Sequence, residues 1–370
     1  MKRTFALFLA AIMALTAMVA VPVGADERSG DWGYTVSYGA ATINRYYGSA
    51  TNVTIPNTIG GYPVIMIGDF AFSGCTSMTS VTIPNGVTTI GERAFSDCLL
   101  LTSISFPKSV TRISEQAFIY TSLTSINVDP DNSYYKSIDG VLYTKDGKTL
   151  VSCPTKKTSV TIPNGVREIG NWAFILCEML TSVTIPDSVT VIGENAFGEC
   201  FALPSVKIPN SVTYIGDGAF SECASLTSVT IPDSITTIGR NAFGLCYSLE
   251  SVTIPVGVTE IGYGAFLGCP SLTTVYYGGS EKQWYAIDID SSWNGNDSLL
   301  KANIIFNSTG PASGDMNGDG KLNAKDVTAL MKYLVGITPN GFVLAAADYD
   351  GNGKINAKDV TAIMKSLVGA

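Results

Sequence analysis

A phrase that returns every 23 residues constrains this chain more than any other feature. Ser228-Val229-Thr230-Ile231-Pro232 recurs with small changes at residues 80–84, 103–107, 159–163, 182–186, 205–209 and 251–255. Pro163, Pro186, Pro209, Pro232 and Pro255 stand 23 residues apart. Between them lies a second phrase, Ile-Gly followed by Ala-Phe, which places Phe72, Phe95, Phe118, Phe174, Phe197, Phe220, Phe243 and Phe266 in step. The step of 56 residues from Phe118 to Phe174 marks one insertion within the array. A unit this short cannot bury its own apolar side chains, so successive units must stack into a solenoid.

The phrase also says which side chains face inward. Val229 and Ile231 alternate with Ser228 and Thr230, the period of a strand with one face in the core. Pro232 ends that strand because it has no N–H for a continuing ladder. Leu226 joins the inward set, while Ile238, Ala242 and Phe243 fill the opposite side of the coil. Gly239 is read as permitting a close turn. The long return between strands predicts a parallel sheet.

From about residue 50 to residue 280 the pattern resembles the BspA-type leucine-rich repeat family, whose units run L-x-x-V-x-I-P-x-x-V-x-x-I-G-x-x-A-F-x-x-C. Leu226 through Cys246 follows it closely. The resemblance implies a leucine-rich repeat solenoid of parallel β-strands, in a family of surface or secreted adhesion-like proteins. The repeats are assigned to 61–275, after an N-terminal cap and first repeat at 26–60 and before a C-terminal cap at 276–306. Residues 127–158 leave the pattern. Asp129-Pro130-Asp131-Asn132 is turn-like, Gly140-Val141-Leu142-Tyr143 reads as a strand, and Asp146-Gly147 is a hairpin signal, so a small β excursion is expected there. Trp32, Tyr34, Tyr38, Tyr46 and Tyr47 are expected to cover one open end of the coil. Tyr276, Tyr277, Trp284, Tyr285 and Trp293 are expected to cover the other, their alternative use being to stack on sugar rings.

Seven of the eight cysteines occupy one repeat position: Cys75, Cys98, Cys177, Cys200, Cys223, Cys246 and Cys269, with Cys153 in the insertion. Tyr120 or Thr121 stands where one more would fall. One thiol per coil reads as a buried ladder of free thiols rather than a disulfide framework. The outward strand positions carry Thr82, Ser105, Thr161, Thr184, Lys207, Thr230 and Thr253, a hydroxyl-rich face that suits water or a polar ligand. The 370 residues contain no histidine, which removes the commonest general base and the commonest transition-metal ligand. A net charge of −8 without a basic stripe argues against nucleic acid as a partner.

The chain's end has a different period. After a polar linker at 307–314, the segment from Asp315 to Gly336 is matched by Asp348 to Gly369, offset by 33 residues. Asp315, Asn317, Asp319, Asn323 and Asp326 occupy positions 1, 3, 5, 9 and 12 of a loop, with Gly320 at its sharp turn and the Lys321 carbonyl at position 7. Asp348, Asp350, Asn352, Asn356 and Asp359 repeat the spacing around Gly353 and the Lys354 carbonyl. Short oxygen-bearing side chains converging around a glycine turn are what calcium requires, so two ions are expected. A helix follows each loop, from Ala324 and from Ala357. Val327, Leu330, Met331 and Leu334 recur on the first at helical spacing, as Val360, Ile363, Met364 and Leu367 do on the second.

From about residue 313 onward the segment closely resembles a type I-like dockerin, with an Ala-Lys pair closer to ruminococcal dockerins than to the hydroxyl pair of clostridial ones. The dockerin is assigned to 315–370 as a small all-alpha calcium-binding module. The resemblance implies calcium-stabilised folding and a cohesin domain of a cellulosomal scaffoldin as partner. Carried onto this chain, the recognition positions are Ala324, Lys325, Val327, Met331 and Lys332, and symmetrically Ala357, Lys358, Val360, Met364 and Lys365.

At the other end, Lys2 and Arg3 precede an apolar run to Val21 and the small residues Val23-Gly24-Ala25, which read as a secretory signal peptide over 1–25. No other stretch is apolar enough to span a membrane, so no transmembrane segment is expected in the mature protein. The whole describes a secreted, extracellular, non-catalytic binding protein, cellulosome- or cell-surface-associated. Its repeats would meet plant polysaccharide or a cell-surface protein. The competing readings are a polysaccharide-degrading enzyme with an unrecognised active site and a structural spacer.

Overall fold

The computed structural model describes residues 27–308, 324–338, 347, 349 and 355–368. The expected signal segment, most of the linker, most of the first expected metal loop and half of the second lie outside the described residues.

Each coil of the solenoid has three sides. The first is the Ser-Val-Thr strand: Ser228–Thr230 pairs in parallel with Ser251–Ile254, placing Val229 beside Val252 and Thr230 beside Thr253. The second is a two-residue strand, as in Thr237–Ile238, Glu260–Ile261 and Asp288–Ile289, again parallel and in register. The third has no regular strand, yet it is hydrogen-bonded from coil to coil. The N–H groups of Phe174, Phe197, Phe220 and Phe243 donate to the carbonyls of Ala196, Ala219, Ala242 and Ala265 at 2.7, 2.7, 2.8 and 2.9 Å. All three sides thus carry coil-to-coil hydrogen bonds, with the second-side sheet broken between Tyr214–Ile215 and Thr237–Ile238.

Leu226, Val229, Ile231, Ile238, Ala242 and Phe243 are all buried, as the repeat pattern predicts. The phenylalanines stack along the axis, with ring centres 4.7, 5.1, 5.4 and 5.6 Å apart from Phe174 to Phe266. The glycine of the Ile-Gly phrase serves close coil packing. A Cβ on Gly216 would lie 2.6 Å from the Glu194 nitrogen, and one on Gly239 would lie 2.6 Å from Asp217 Oδ1. Along the first side Thr82, Ser105, Thr161, Thr184, Lys207 and Thr230 are exposed. Thr253 is buried instead, with Tyr276 as its register neighbour on the next strand.

The insertion is a wall between two cores. Strands Tyr135–Ile138, Val141–Thr144 and Thr149–Ser152 form an antiparallel meander whose last strand continues in parallel with Glu168–Ile169. The expected strand and the hairpin turn after it are present, and the strand before them, Tyr135–Ile138, is one that the pattern did not reveal. Leu142 belongs to the N-terminal core, whereas Val141 and Tyr143 belong to the C-terminal one, so alternation along a single strand separates the two. Asn132 pins the entry. Its amide nitrogen donates to the carbonyls of Pro107 and Val110 at 3.0 and 2.8 Å, and its side-chain oxygen accepts the N–H groups of Tyr134 and Tyr135, both at 2.8 Å.

The ends are closed by fewer aromatics than expected. At the N-terminus the antiparallel strands Trp32–Ser37 and Ala40–Tyr46 lead into parallel pairing with Tyr62–Ile67. Tyr34 and Tyr46 are buried, and Trp32 packs 4.8 Å from Tyr46, which lies 5.6 Å from Phe72 at the head of the stack. Tyr38 does not cap: it sits fully exposed in the hairpin turn, on left-handed backbone of φ 51°. Tyr47 is half-exposed, 4.4 Å beneath the Arg28 guanidinium.

At the other end come strand Thr274–Tyr277, helix α1 (Glu281–Trp284), helix α2 (Asp297–Lys301) and strand Asn303–Phe306. Tyr277 and Trp284 are buried edge to face at 5.2 Å, and Tyr276 is half-buried. Tyr285 and Trp293 do not cap, being 77% and 90% exposed. Tyr285 follows the buried Trp284 and terminates α1. Trp293 stands on a short 3-10 turn, Ser292–Asn294, with φ 51°.

Asn296, which sequence reading did not single out, is wholly buried and ends the third-side ladder. Its side-chain oxygen accepts the Phe266 N–H at 3.0 Å, replacing the alanine carbonyl of a coil that does not follow. Its amide donates to the carbonyls of Gly262 and Asp290 at 3.0 and 2.7 Å.

Candidate functional site

The terminal module places helix α3 (Ala324–Leu334) against helix α4 (Ala357–Val368). Their shared core is small: Ala329, Leu330, Ala347 and Ile363, with Val327, Tyr349, Ile355, Val360 and Leu367 packed around it. Leu330 and Ile363 are equivalent positions of the 33-residue duplication. The duplication extends to detail, since the hydroxyls of Thr328 and Thr361 donate to the carbonyls of Ala324 and Ala357 at 2.9 and 3.0 Å.

In the first turn of each helix stands a carboxylate that is fully buried, Asp326 in α3 and Asp359 in α4. At α4 the Asn356 side chain accepts the Lys358 N–H at 2.9 Å, and Asp359 Oδ2 accepts the Asn356 N–H at 2.8 Å, a reciprocal cap. Burying a carboxylate is expensive unless opposite charge or several donors compensate it. These two are the twelfth residues of the loops expected from the sequence, and the Asp359 carboxylate is already partnered by the Asn356 N–H. Asp315, Asn317, Asp319, Lys321 and Asn323, with Asp348, Asp350, Asn352 and Lys354, lie outside the described residues.

The residues expected to meet a partner divide by exposure. Ala324, Lys325, Met331 and Lys332 are exposed on α3, as are Ala357, Lys358, Met364 and Lys365 on α4. Val327 and Val360 are half-buried against the shared core, so part of each side chain is already used there. Met331 and Met364, 55% and 52% exposed, are the large apolar side chains that α3 and α4 offer at equivalent places.

The cysteines are structural. All eight thiols are free, and all except the half-buried Cys75 are buried. Cys98, Cys200, Cys223, Cys246 and Cys269 each donate to the carbonyl of the phenylalanine one coil earlier, at 3.1 to 3.3 Å. In the coil without cysteine, Thr121 takes the buried place and bonds the Phe118 carbonyl at 2.8 Å, while Tyr120 is exposed. Burial pushes the Cys98 and Cys223 thiols up to about 12 and Cys269 to about 11. Such groups remain protonated and are poor nucleophiles.

An open trough of about 870 Å³ lies at the C-terminal end of the second side, between Arg240, Glu260, Tyr263, Asp288, Asp290 and Trp293. Glu260 and Asp288 are register neighbours on adjacent strands. The Arg240 guanidinium stands 5.9 Å from the Tyr263 ring centre. Periodicity did not flag this surface, because its residues come from successive coils at positions that vary. Among the described residues no helix is long and apolar enough to cross a membrane.

A family model described as BspA type leucine rich repeat region matches residues 44–139 and 149–276. A second, described as dockerin type I domain, matches residues 302–368. No curated protein matches the chain. Among solved structures, a leucine rich cell surface protein from Faecalibacterium prausnitzii is 29% identical with a TM-score of 0.49, covering 74% of this chain and 100% of its own. The pneumococcal vaccine antigen PcpA is 19% identical with a TM-score of 0.49, covering 77% of this chain and 99% of its own. A leucine-rich repeat protein from Eubacterium ventriosum is 22% identical with a TM-score of 0.49, covering 68% of this chain and 85% of its own.

Proposed function

The chain belongs to the BspA-type leucine-rich repeat family and carries a C-terminal type I dockerin domain, and from these premises we propose an exported, non-catalytic binding protein docked on a scaffold. Its dockerin engages a cohesin in a calcium-dependent manner, and its repeats present a rigid surface to a carbohydrate or a protein. Both matched regions are binding architectures, which supports the non-enzymatic reading.

The observation that carries the attachment role is the pair of equivalent buried carboxylates, Asp326 and Asp359, opening two duplicate helices. The first ion would be held by Asp315, Asn317, Asp319, the Lys321 carbonyl, Asn323 and Asp326. The second would be held by Asp348, Asp350, Asn352, the Lys354 carbonyl, Asn356 and Asp359. Bound there, calcium supplies a cross-link between loop and helix that the small apolar core does not provide. The exposed sets around Met331 and Met364 are then two near-equal faces for a cohesin, each with a methionine beside flanking lysines.

Capture of the full-length protein by immobilised ruminococcal type cohesins tests this, in calcium and in chelator. The reading expects capture in calcium that is abolished by chelation. Capture unchanged by chelation would contradict it, and so would no capture by any cohesin of the panel.

A further inference from the structure

We propose that the trough ending at Trp293 is a saccharide site, taking a neutral, extended, β-linked polysaccharide along the second side of the solenoid. This deepens the recognition role proposed above for the repeats.

The indole is presented rather than merely left over. Trp293 and Asn294 both lie on left-handed backbone, φ 51° and 60°, a region that favours glycine. The turn that carries them is held from several directions. Asp290 Oδ1 accepts the backbone N–H of Ser292 at 2.9 Å and its hydroxyl as well, and the buried Asn296 amide ties the Asp290 carbonyl to the last coil. Gly295 packs so closely on Tyr263 that a Cβ there would meet the ring at 2.9 Å. The result is a 90% exposed aromatic face fixed beside a polar trough. A pyranose has the complementary surfaces, an apolar C–H face for the ring and hydroxyls at its rim.

The charges select among ligands. Glu260, Asp288 and Asp290 outnumber Arg240 in the trough and disfavour an acidic guest. A neutral polyol is compatible with both, because its hydroxyls donate to carboxylates and accept from a guanidinium. Glu260 and Asp288 stand side by side on paired strands, an arrangement of like charges that costs stability unless donors are placed between them.

The extended shape follows from the coil repeat. Arg240 also lines a separate hollow with Glu194, Asn195, Asp217 and Asn241, at the turn that follows the second side in earlier coils. Successive strands lie about 4.8 Å apart, comparable to the advance of one sugar unit in an extended β-linked chain. Such a ligand would meet each coil at a similar phase, with Trp293 at one end.

Isothermal titration of the full-length protein in calcium, using cellohexaose, xylohexaose and mannohexaose, is the test, with polygalacturonate and a lysine-rich peptide as charged probes. At least one neutral hexasaccharide should bind, and neither charged probe should compete with it. Trp293→Ala should weaken binding about tenfold or more, as loss of an aromatic platform does, while Trp293→Phe retains most of it. Both variants should keep wild-type thermal unfolding and wild-type cohesin capture, so failure of the saccharide site is separable from failure of the docking role. Absence of binding to all three neutral probes, stronger binding of either charged probe, or equal binding by Trp293→Ala would overturn the proposal.

Discussion

The repeat solenoid and the terminal helix pair hold their shapes by different means. In the solenoid, Phe174, Phe197, Phe220, Phe243 and Phe266 form an unbroken stack, and the third side is hydrogen-bonded from coil to coil along the same run. Among its described residues, the terminal module buries four apolar side chains and two carboxylates. A small domain with so little core usually requires a staple, which is the role proposed above for calcium. The contrast teaches that one chain joins a surface stable by repetition to a small module for which we propose ion-dependent stability.

The largest effect that would sharpen this contrast is expected from Asp326→Ala combined with Asp359→Ala. Calcium binding and cohesin capture should both be lost, with the solenoid's thermal transition unchanged. Retained capture by the double variant would break the comparison at its weaker side. Next, Phe220→Ala removes a ring stacked on both faces and should cost about 3–5 kcal/mol in denaturant unfolding of the solenoid. Cohesin capture should survive it.

Asn296→Ala comes third. It leaves the Phe266 N–H and the Gly262 carbonyl without their present partner, and a loss of about 1–3 kcal/mol is expected. Because the plug acts at one end, hydrogen exchange should rise first in the last coil. Equal loosening along the whole stack would show that the ladder has no special terminus.

The thiols come last, because their effect is confined to alkaline pH. The folded state raises Cys98 and Cys223 from an ordinary 9.0 to about 12, mainly by burial. Between those limits the unfolded chain binds fewer protons than the folded one, so stability falls as pH rises. The contribution is complete below pH 9.0 and declines up to about 12, by at most about 1.4 kcal/mol per pH unit for each thiol. Cys223→Ala should make the alkaline decline of the solenoid's unfolding midpoint measurably shallower. An identical decline would mean that burial of this thiol is not coupled to alkaline unfolding.

Much of the solenoid was legible in the sequence because repetition reports the same contact many times. Leu226, Val229, Ile231, Ile238 and Phe243 each stand for a row, and the structure buries every one. Features that occur once were harder to read. Asn132 and Asn296 act as plugs only because the coil is interrupted or ends beside them, and a lone asparagine carries no period. Tyr38, Tyr285 and Trp293 had the composition of cap residues, but exposure depends on which neighbour in an irregular segment reaches the core first, as Trp284 does ahead of Tyr285. In the helix pair, spacing identified the apolar face, yet only packing separated Leu330, which is buried, from Met331, which is available to a partner. The trough at Trp293 assembles Arg240, Tyr263 and Asp290 from separate coils, and no local motif marks it.

Hydrogen exchange on the full-length protein, in calcium and then in chelator, tests the central contrast most directly. Amides of Ala324–Leu334 and Ala357–Val368 should lose protection on chelation, while those of Phe197, Phe220 and Phe243 keep theirs. Helices equally protected with the ion removed would contradict the account.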